Sequence, residues 1–290
     1  MHAARRRFAV AAGLALTALA GVLWLGAALA QDPAPLPPSP VTLAVDAGTY
    51  MRIDVPRGPI HVWRPAGYRP DTGATVIYVH GYWDTADTAW TGHQLPQQFA
   101  MSAGNAMYIV PEAPAQHRTP VNYPDLGELL RIVEDATGQP RGAALTVALG
   151  HSGAYRTIEA WLDEPLLDQI VMIDALYGEE DKIIDWTKAS ERRRLILVAQ
   201  DTVLGAEAVH EALPEAFVLD RVPPTYQLMP AEAKAAKVVY LRAQFSHMTL
   251  VRGGVVIPSV LRLLPLELLP DLPWQQPLGS LPPPIDAAPP

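Results

Sequence analysis

The chain has 290 residues, 49% hydrophobic and 18% charged, with 30 acidic against 22 basic side chains and a formal net charge of -8. That composition excludes intrinsic disorder, and the acidic balance argues against a nucleic-acid partner, because such a surface repels phosphate backbones. Cysteine is absent, which removes disulfides, thiolate metal sites, iron–sulfur clusters, a cysteine nucleophile and a lipid-bearing cysteine together.

Residues 1–30 read as an export signal. Arg5, Arg6 and Arg7 precede Phe8 and an uncharged Ala/Leu-rich run that ends in Ala28-Leu29-Ala30 before Gln31, giving a basic start, an apolar middle and a small-x-small cleavage site. Arg5-Arg6 followed by Phe8 also fits a twin-arginine signal, which implies export in the folded state. The apolar run is longer than an ordinary signal core, so an uncleaved anchor is the alternative and the one membrane contact expected. Either way the globular part is expected outside the cytoplasm, periplasmic or secreted. Beyond the signal the chain carries 19 basic and 30 acidic groups, a net charge of -11. About 260 residues suffice for one domain with a sizeable core.

Residues 31–40, half of them proline, predict an extended spacer. The domain itself is expected over 41–264. It opens with MRIDV (51–55) and IHVW (60–63), separated by Pro56 and the Gly58-Pro59 turn, an antiparallel pair at a sheet edge. Six apolar runs follow: TVIYV (75–79), AMYIV (106–110), LTVAL (145–149), QIVMI (169–173), RLILV (194–198) and VVYLR (238–242). Uninterrupted by polar alternation, they have the pattern of parallel strands buried on both faces. Segments 124–136, 153–163, 179–190 and 205–213 have helical spacing and are long enough for crossovers. The fold class is therefore α/β: an open, mostly parallel eight-stranded sheet with helices on both faces. Residues 265–290, with nine prolines, predict a surface-laid or frayed tail.

In such sheets the chemistry collects at the carboxyl ends of the strands. The run 145–149 ends in Gly150-His151-Ser152-Gly153-Ala154 and passes straight into a helical segment. A nucleophile on a sharp strand-to-helix turn needs tiny residues two positions before and after it, and Gly150 and Ala154 meet that need. The run 75–79 ends in His80-Gly81-Tyr82-Trp83, the kind of strand end that shapes an oxyanion hole, and the last run leads to Gln244-Phe245-Ser246-His247.

Strand order, the early His-Gly, GHSGA and the late histidine together resemble the α/β-hydrolase superfamily over about residues 50–264. GHSGAYR followed by DALYG also resembles an exported bacterial branch of these hydrolases. The resemblance implies Ser152 as nucleophile and His247 as general base, with an acid between them in sequence. Two aspartates compete for that place. Asp201 follows RLILVAQ, the usual location; Asp174 ends QIVMI, where a carboxylate against a buried strand needs a strong partner, and it is preferred. Glu112, after the run 106–110, is the third choice. Gly153 and Tyr82, or else Trp83, are expected to supply oxyanion N–H groups, and Tyr82, Trp83 and Trp90 to line a substrate pocket.

No cofactor is expected, since no G-x-G-x-x-G or P-loop occurs, and no metal, since no two histidines have the spacing of HExxH and His2, His61, His93, His117 and His210 are scattered. The segment after Asp201, with Pro214, Pro223, Pro224 and Pro230, predicts a short lid or side wall. The expected activity is hydrolysis of a small or medium carboxylic ester through an acyl-enzyme. A cell-envelope peptidase or amidase with the same residues, or a binding protein on the hydrolase fold, are the alternatives. The signal makes its own prediction: exported protein begins at Gln31 by intact mass, and replacing Arg5 and Arg6 together by lysine blocks export; unchanged export in that variant assigns the general secretory route instead.

Overall fold

The computed structural model describes residues 40–269. The export signal at 1–30, the spacer up to residue 39 and the tail from residue 270 lie outside the described residues. The strands are β1 (Thr49–Ile53), β2 (Ile60–Arg64), β3 (Ala74–Val79), β4 (Ala106–Pro111), β5 (Thr146–His151), β6 (Gln169–Ile173), β7 (Arg194–Ala199), β8 (Phe217–Leu219) and β9 (Val238–Arg242). They form one sheet in the order β1-β2-β4-β3-β5-β6-β7-β9-β8. β1 and β2 pair antiparallel, as do β2 and β4, and every other pair is parallel. The sheet thus has nine strands rather than the eight expected. The extra one, β8, is only three half-buried residues on the free side of β9, too short to carry a periodic signal.

The helices are α1 (Pro40–Ala47), α2 (Ala86–Gly92), α3 (Leu95–Ser102), α4 (Leu126–Thr137), α5 (Tyr155–Ala160), α6 (Glu180–Lys188), α7 (Val203–Ala212), α8 (Ala231–Ala235), α9 (Thr249–Arg252) and α10 (Val256–Leu263). Successive side chains of a strand point to opposite faces, so each central strand feeds two cores. Val76, Tyr78, Val147, Leu149, Val171 and Ile173 face one, with α2, α3 and α10 over them. Ile77, Val79, Ala148, Ile170 and Met172 face the other, under α4, α5, α6 and α7. All of these strand residues are at most 2% exposed, which is why the sequence runs are apolar at every position.

β3 lies between β4 and β5, so the chain runs outward from β3 to β4 and then jumps back across β3 to β5. That reversal opens a crevice at the carboxyl ends of β3 and β5, the place where open parallel sheets hold their ligands. The segment after Asp201, expected as a short lid or side wall, forms α7, β8, a short 3₁₀ turn and α8, and it buries Val222, Tyr226, Met229 and Ala233 in the core. It is a side wall. Gln244 pins it, accepting from Val222 N–H at 3.0 Å and donating to Val222 O at 2.8 Å.

Packing reaches to both ends of the described residues. α1 starts at Pro40, and the Trp63 indole N–H donates to Val45 O. Past residue 264, Glu267 O accepts from Asn105 N–H at 2.7 Å, and the Glu267 carboxylate takes Arg69 and Asn105. At the opposite edge of the sheet from the crevice, Arg194 is 8% exposed and has carbonyls for partners: Ala233 and Ala236 at the end of α8 and Leu263 at the end of α10, at 2.5–2.8 Å. Burial pushes this guanidinium down to about 10. The carbonyl ends of two helices stand in for a carboxylate. Arg194→Met, which keeps the stem and removes the donors, is expected to cost about 2 to 4 kcal/mol in chemical denaturation, because three acceptors lose their donor.

Candidate active site

β5 ends at His151, and Ser152–Ala154 make a single 3₁₀ turn before α5. Ser152 has φ of +54°, left-handed and costly for a residue with a Cβ. The close approach behind it explains the small neighbours. A Cβ on Gly150 would lie 2.5 Å from Ile158 Cδ1 and 2.8 Å from Ala154 Cβ. Across the crevice, a Cβ on Gly81 would meet Ser152 Cβ at 2.7 Å, so the ends of β3 and β5 touch at the serine.

His80, fully buried at the end of β3, is a structural latch. Its Nε2 accepts from Ala113 N–H at 3.0 Å, so Nδ1 holds the proton and donates to Gly81 O at 2.8 Å. The N–H of Tyr82 has no backbone acceptor among the described residues, whereas Trp83 N–H is taken by Ala115 O at 2.9 Å. Gly153 N–H stands in the first turn of a helical segment, where an N–H has no acceptor within its own helix. Tyr82 and Gly153 are therefore the open donors beside Ser152, and the Trp83 alternative fails because its N–H is occupied.

His247 sits on the loop between β9 and α9 and brings its Nδ1 to 2.7 Å from Asp174 Oδ2. Asp174 is fully buried with φ of +49°. Its Oδ1 accepts from the N–H groups of Gln200, Asp201 and Thr202 and from the Thr202 hydroxyl, all at 2.8–2.9 Å. Burial opposes ionisation of this carboxyl, yet the bonds from His247 and the three N–H groups hold it well below the usual carboxylate range. With Asp174 ionised, His247 Nδ1 donates and neutral Nε2 is left as an acceptor. Asp201 Oδ2 is 3.7 Å from the same Nδ1, on a half-exposed side chain. Glu112 is committed elsewhere, accepting from Ala86 N–H at the start of α2. Asp174, Asp201 and His247 bring donor atoms within 4.8 Å of one another, and the protein's own hydrogen bonds occupy Asp174 Oδ1 and join its Oδ2 to His247 Nδ1.

His151 is packed beneath His247, with ring centroids 4.5 Å apart and Nε2 3.3 Å from His247 O. Burial, then the neighbouring His247 and His93, push its imidazole down to about 3, so it is neutral in the folded protein.

Of the three aromatic residues expected in a substrate pocket, one is at the site. The Tyr82 ring packs against Gly153, where a Cβ would meet it at 2.5 Å. Trp83 is 85% exposed and projects into solvent. Trp90 is 9% exposed and stacks on His61 at 4.9 Å and Tyr50 at 5.2 Å; it fills the core under α2, since an indole on the inner face of a short helix is drawn into packing. Two tyrosines were missed. The Tyr177 ring lies 6.2 Å from that of Tyr155, and burial with the charges of Asp174 and Asp201 pushes its phenol up to about 12. Tyr155, its ring partner, opens α5 directly after the serine turn. Their signal was present in GHSGAYR and DALYG, the two segments that flank the serine and the buried aspartate.

No protein-family model matches the sequence, and no curated protein matches it. Solved structures do share its fold. A serine-to-alanine mutant of the feruloyl esterase module from Clostridium thermocellum, complexed with sinapinate, matches with a TM-score of 0.53 and 13% identity over 78% of this chain and 92% of that one. A structure of FAE matches with a TM-score of 0.52 and 11% identity over 79% of this chain and 91% of its own. The chain has the α/β-hydrolase fold.

His151 gives the site a pH dependence. A histidine held down to about 3 from its ordinary 6.5 is protonated in the unfolded chain first, so its contribution to stability is complete above pH 6.5 and declines as pH falls toward 3. Urea denaturation between pH 8 and 4.5 should show stability falling below pH 6.5 by up to about 1.4 kcal/mol per pH unit from this residue. His151→Asn should flatten that slope; an unchanged slope would assign it to other groups.

Proposed function

We propose that this chain is an exported serine hydrolase that cleaves a small or medium carboxylic ester through a covalent acyl-enzyme. The observation that carries the reading is the buried Asp174–His247 hydrogen bond of 2.7 Å beside a serine in left-handed conformation at the end of β5. In this reading His247 Nε2 takes the Ser152 proton as Oγ bonds to the ester carbonyl, and the N–H groups of Tyr82 and Gly153 receive the oxyanion. The C–O bond to the alcohol then breaks and the imidazolium returns the proton to the departing oxygen. Water repeats the sequence in reverse roles: His247 takes its proton, its oxygen bonds to the acyl carbon, and Ser152 leaves with the proton restored. Asp174 holds the imidazole in the tautomer with Nδ1–H and stabilises its cation.

Two features favour an ester of modest size. The side wall after Asp201 leaves no large cap among the described residues, and Tyr82, Tyr155 and Tyr177 give the rim an amphipathic aromatic lining suited to a compact acyl or alcohol group. Likeness to esterase structures agrees with ester chemistry. The pattern at residues 5–30 supports the exported location. The test uses a fluorophosphonate probe and a panel of p-nitrophenyl esters set against peptide amides. Intact protein should label on Ser152 and prefer the esters, while Ser152→Ala and His247→Ala should each lose on the order of 10⁴- to 10⁶-fold in turnover with the fold intact. Comparable turnover in either variant removes the proposal, and a preference for the amides replaces esterase by amidase.

A further inference from the structure

We propose that Asp201 is a second, outer carboxylate for His247, a positioning residue that shares the Nδ1 side of the imidazole with Asp174 and adds its charge to the same cation. The inference rests on the serine hydrolase reading above and deepens it.

The geometry is asymmetric. Asp174 is fully buried and its Oδ1 is filled by four donors, so only Oδ2 reaches the imidazole, at 2.7 Å. Asp201 comes from the end of β7, one strand over, and points its Oδ2 at the same Nδ1 from 3.7 Å on a half-exposed side chain. That distance is beyond a hydrogen bond but within ion-pair range, so the contact grows in strength when the imidazole carries its charge during turnover. The two aspartates are also mechanically joined, because the backbone N–H of Asp201 donates to Asp174 Oδ1 at 2.8 Å. An amide at position 201 would keep that backbone bond and remove only the charge.

The other groups facing His247 do not duplicate this. His151, below the ring at the end of β5, is held neutral. Tyr177, between β6 and α6, is a phenol kept neutral by burial and by the charges of Asp174 and Asp201. Asp174 is the inner anion, and Asp201 is the remaining charge of the set. An anion beside an imidazolium favours the charged form, so removing the outer one lets the neutral base appear at lower pH.

Asp201→Asn should therefore move the acid limb of kcat/KM to lower pH by about half to one pH unit, a shift set by a single charge at ion-pair distance under solvent screening. The plateau rate should drop several-fold. The downfield NMR signal of the Nδ1 proton between His247 and Asp174 should shift as well, a readout that needs no turnover. Asp174→Asn/Asp201→Asn should be at least tenfold slower than Asp174→Asn, because the single variant still has one carboxylate facing the cation. The inference is overturned if Asp201→Asn leaves the acid limb and the downfield proton unmoved, or if the double variant is no slower than Asp174→Asn. Ser152→Ala assayed in parallel separates the two levels. Serine-dependent turnover with an unmoved limb sinks the role of Asp201 alone. Turnover that survives Ser152→Ala sinks the hydrolase reading, and the proton signal still tests Asp201.

Discussion

A single carboxylate with five hydrogen bonds organises the carboxyl edge of this sheet. Asp174 ends β6, collects three backbone N–H groups and a hydroxyl from the turn after β7, and reaches the imidazole on the loop after β9. Three strand ends are tied to one buried anion. Its desolvation is severe, and only a full set of donors makes the ionised form the stable one. The left-handed backbone at Asp174 belongs to the same arrangement, a costly conformation held where its carboxylate gathers all five partners. His151 closes it from below, a neutral ring packed under the imidazole of His247.

The sheet beneath this edge is buried on both faces. Residues that alternate along β3, β5 and β6 feed two separate cores, and the contact of Gly81 with Ser152 depends on β3 and β5 lying side by side. Gly81 is small because of that spacing, and Gly150 and Ala154 because the serine turn folds them against each other and Ile158. They are sites of backbone and side-chain crowding, and an added methyl would push the serine off its turn.

Much of this was legible in the sequence because it rests on period and chain order. The six apolar runs became six strands, and GHSGA became a strand-to-helix turn, since both are local patterns. That turn could therefore be read from one pentapeptide. The choice between Asp174 and Asp201 had no local answer, because it depends on which carboxylate the β9 loop meets. The structure pairs the first with His247 and keeps the second within 3.7 Å, so the two readings describe inner and outer neighbours of one ring. Trp90 lies away from the pocket for a related reason: it sits on α2, whose inner face stacks on β1 and β2, and that packing is long-range. Tyr177 was passed over because a tyrosine in a turn has no pattern of its own until its neighbours are known. β8 and the helix at 40–47 lacked the length or the periodicity to stand out from proline-rich surroundings.

Arg194 gives the molecule a polarity that its shape does not show. Its partners are carbonyls, which do not titrate, so the bond network at the amino-terminal edge of the sheet keeps its strength in acid. The carboxyl-terminal edge depends on an ionised aspartate and a neutral buried histidine, both of which acid attacks. Acidification therefore loosens the molecule from one end. The reactive crevice would open before the helices over the far edge let go, and a partly opened state with its lower half intact becomes the natural first stage of acid unfolding.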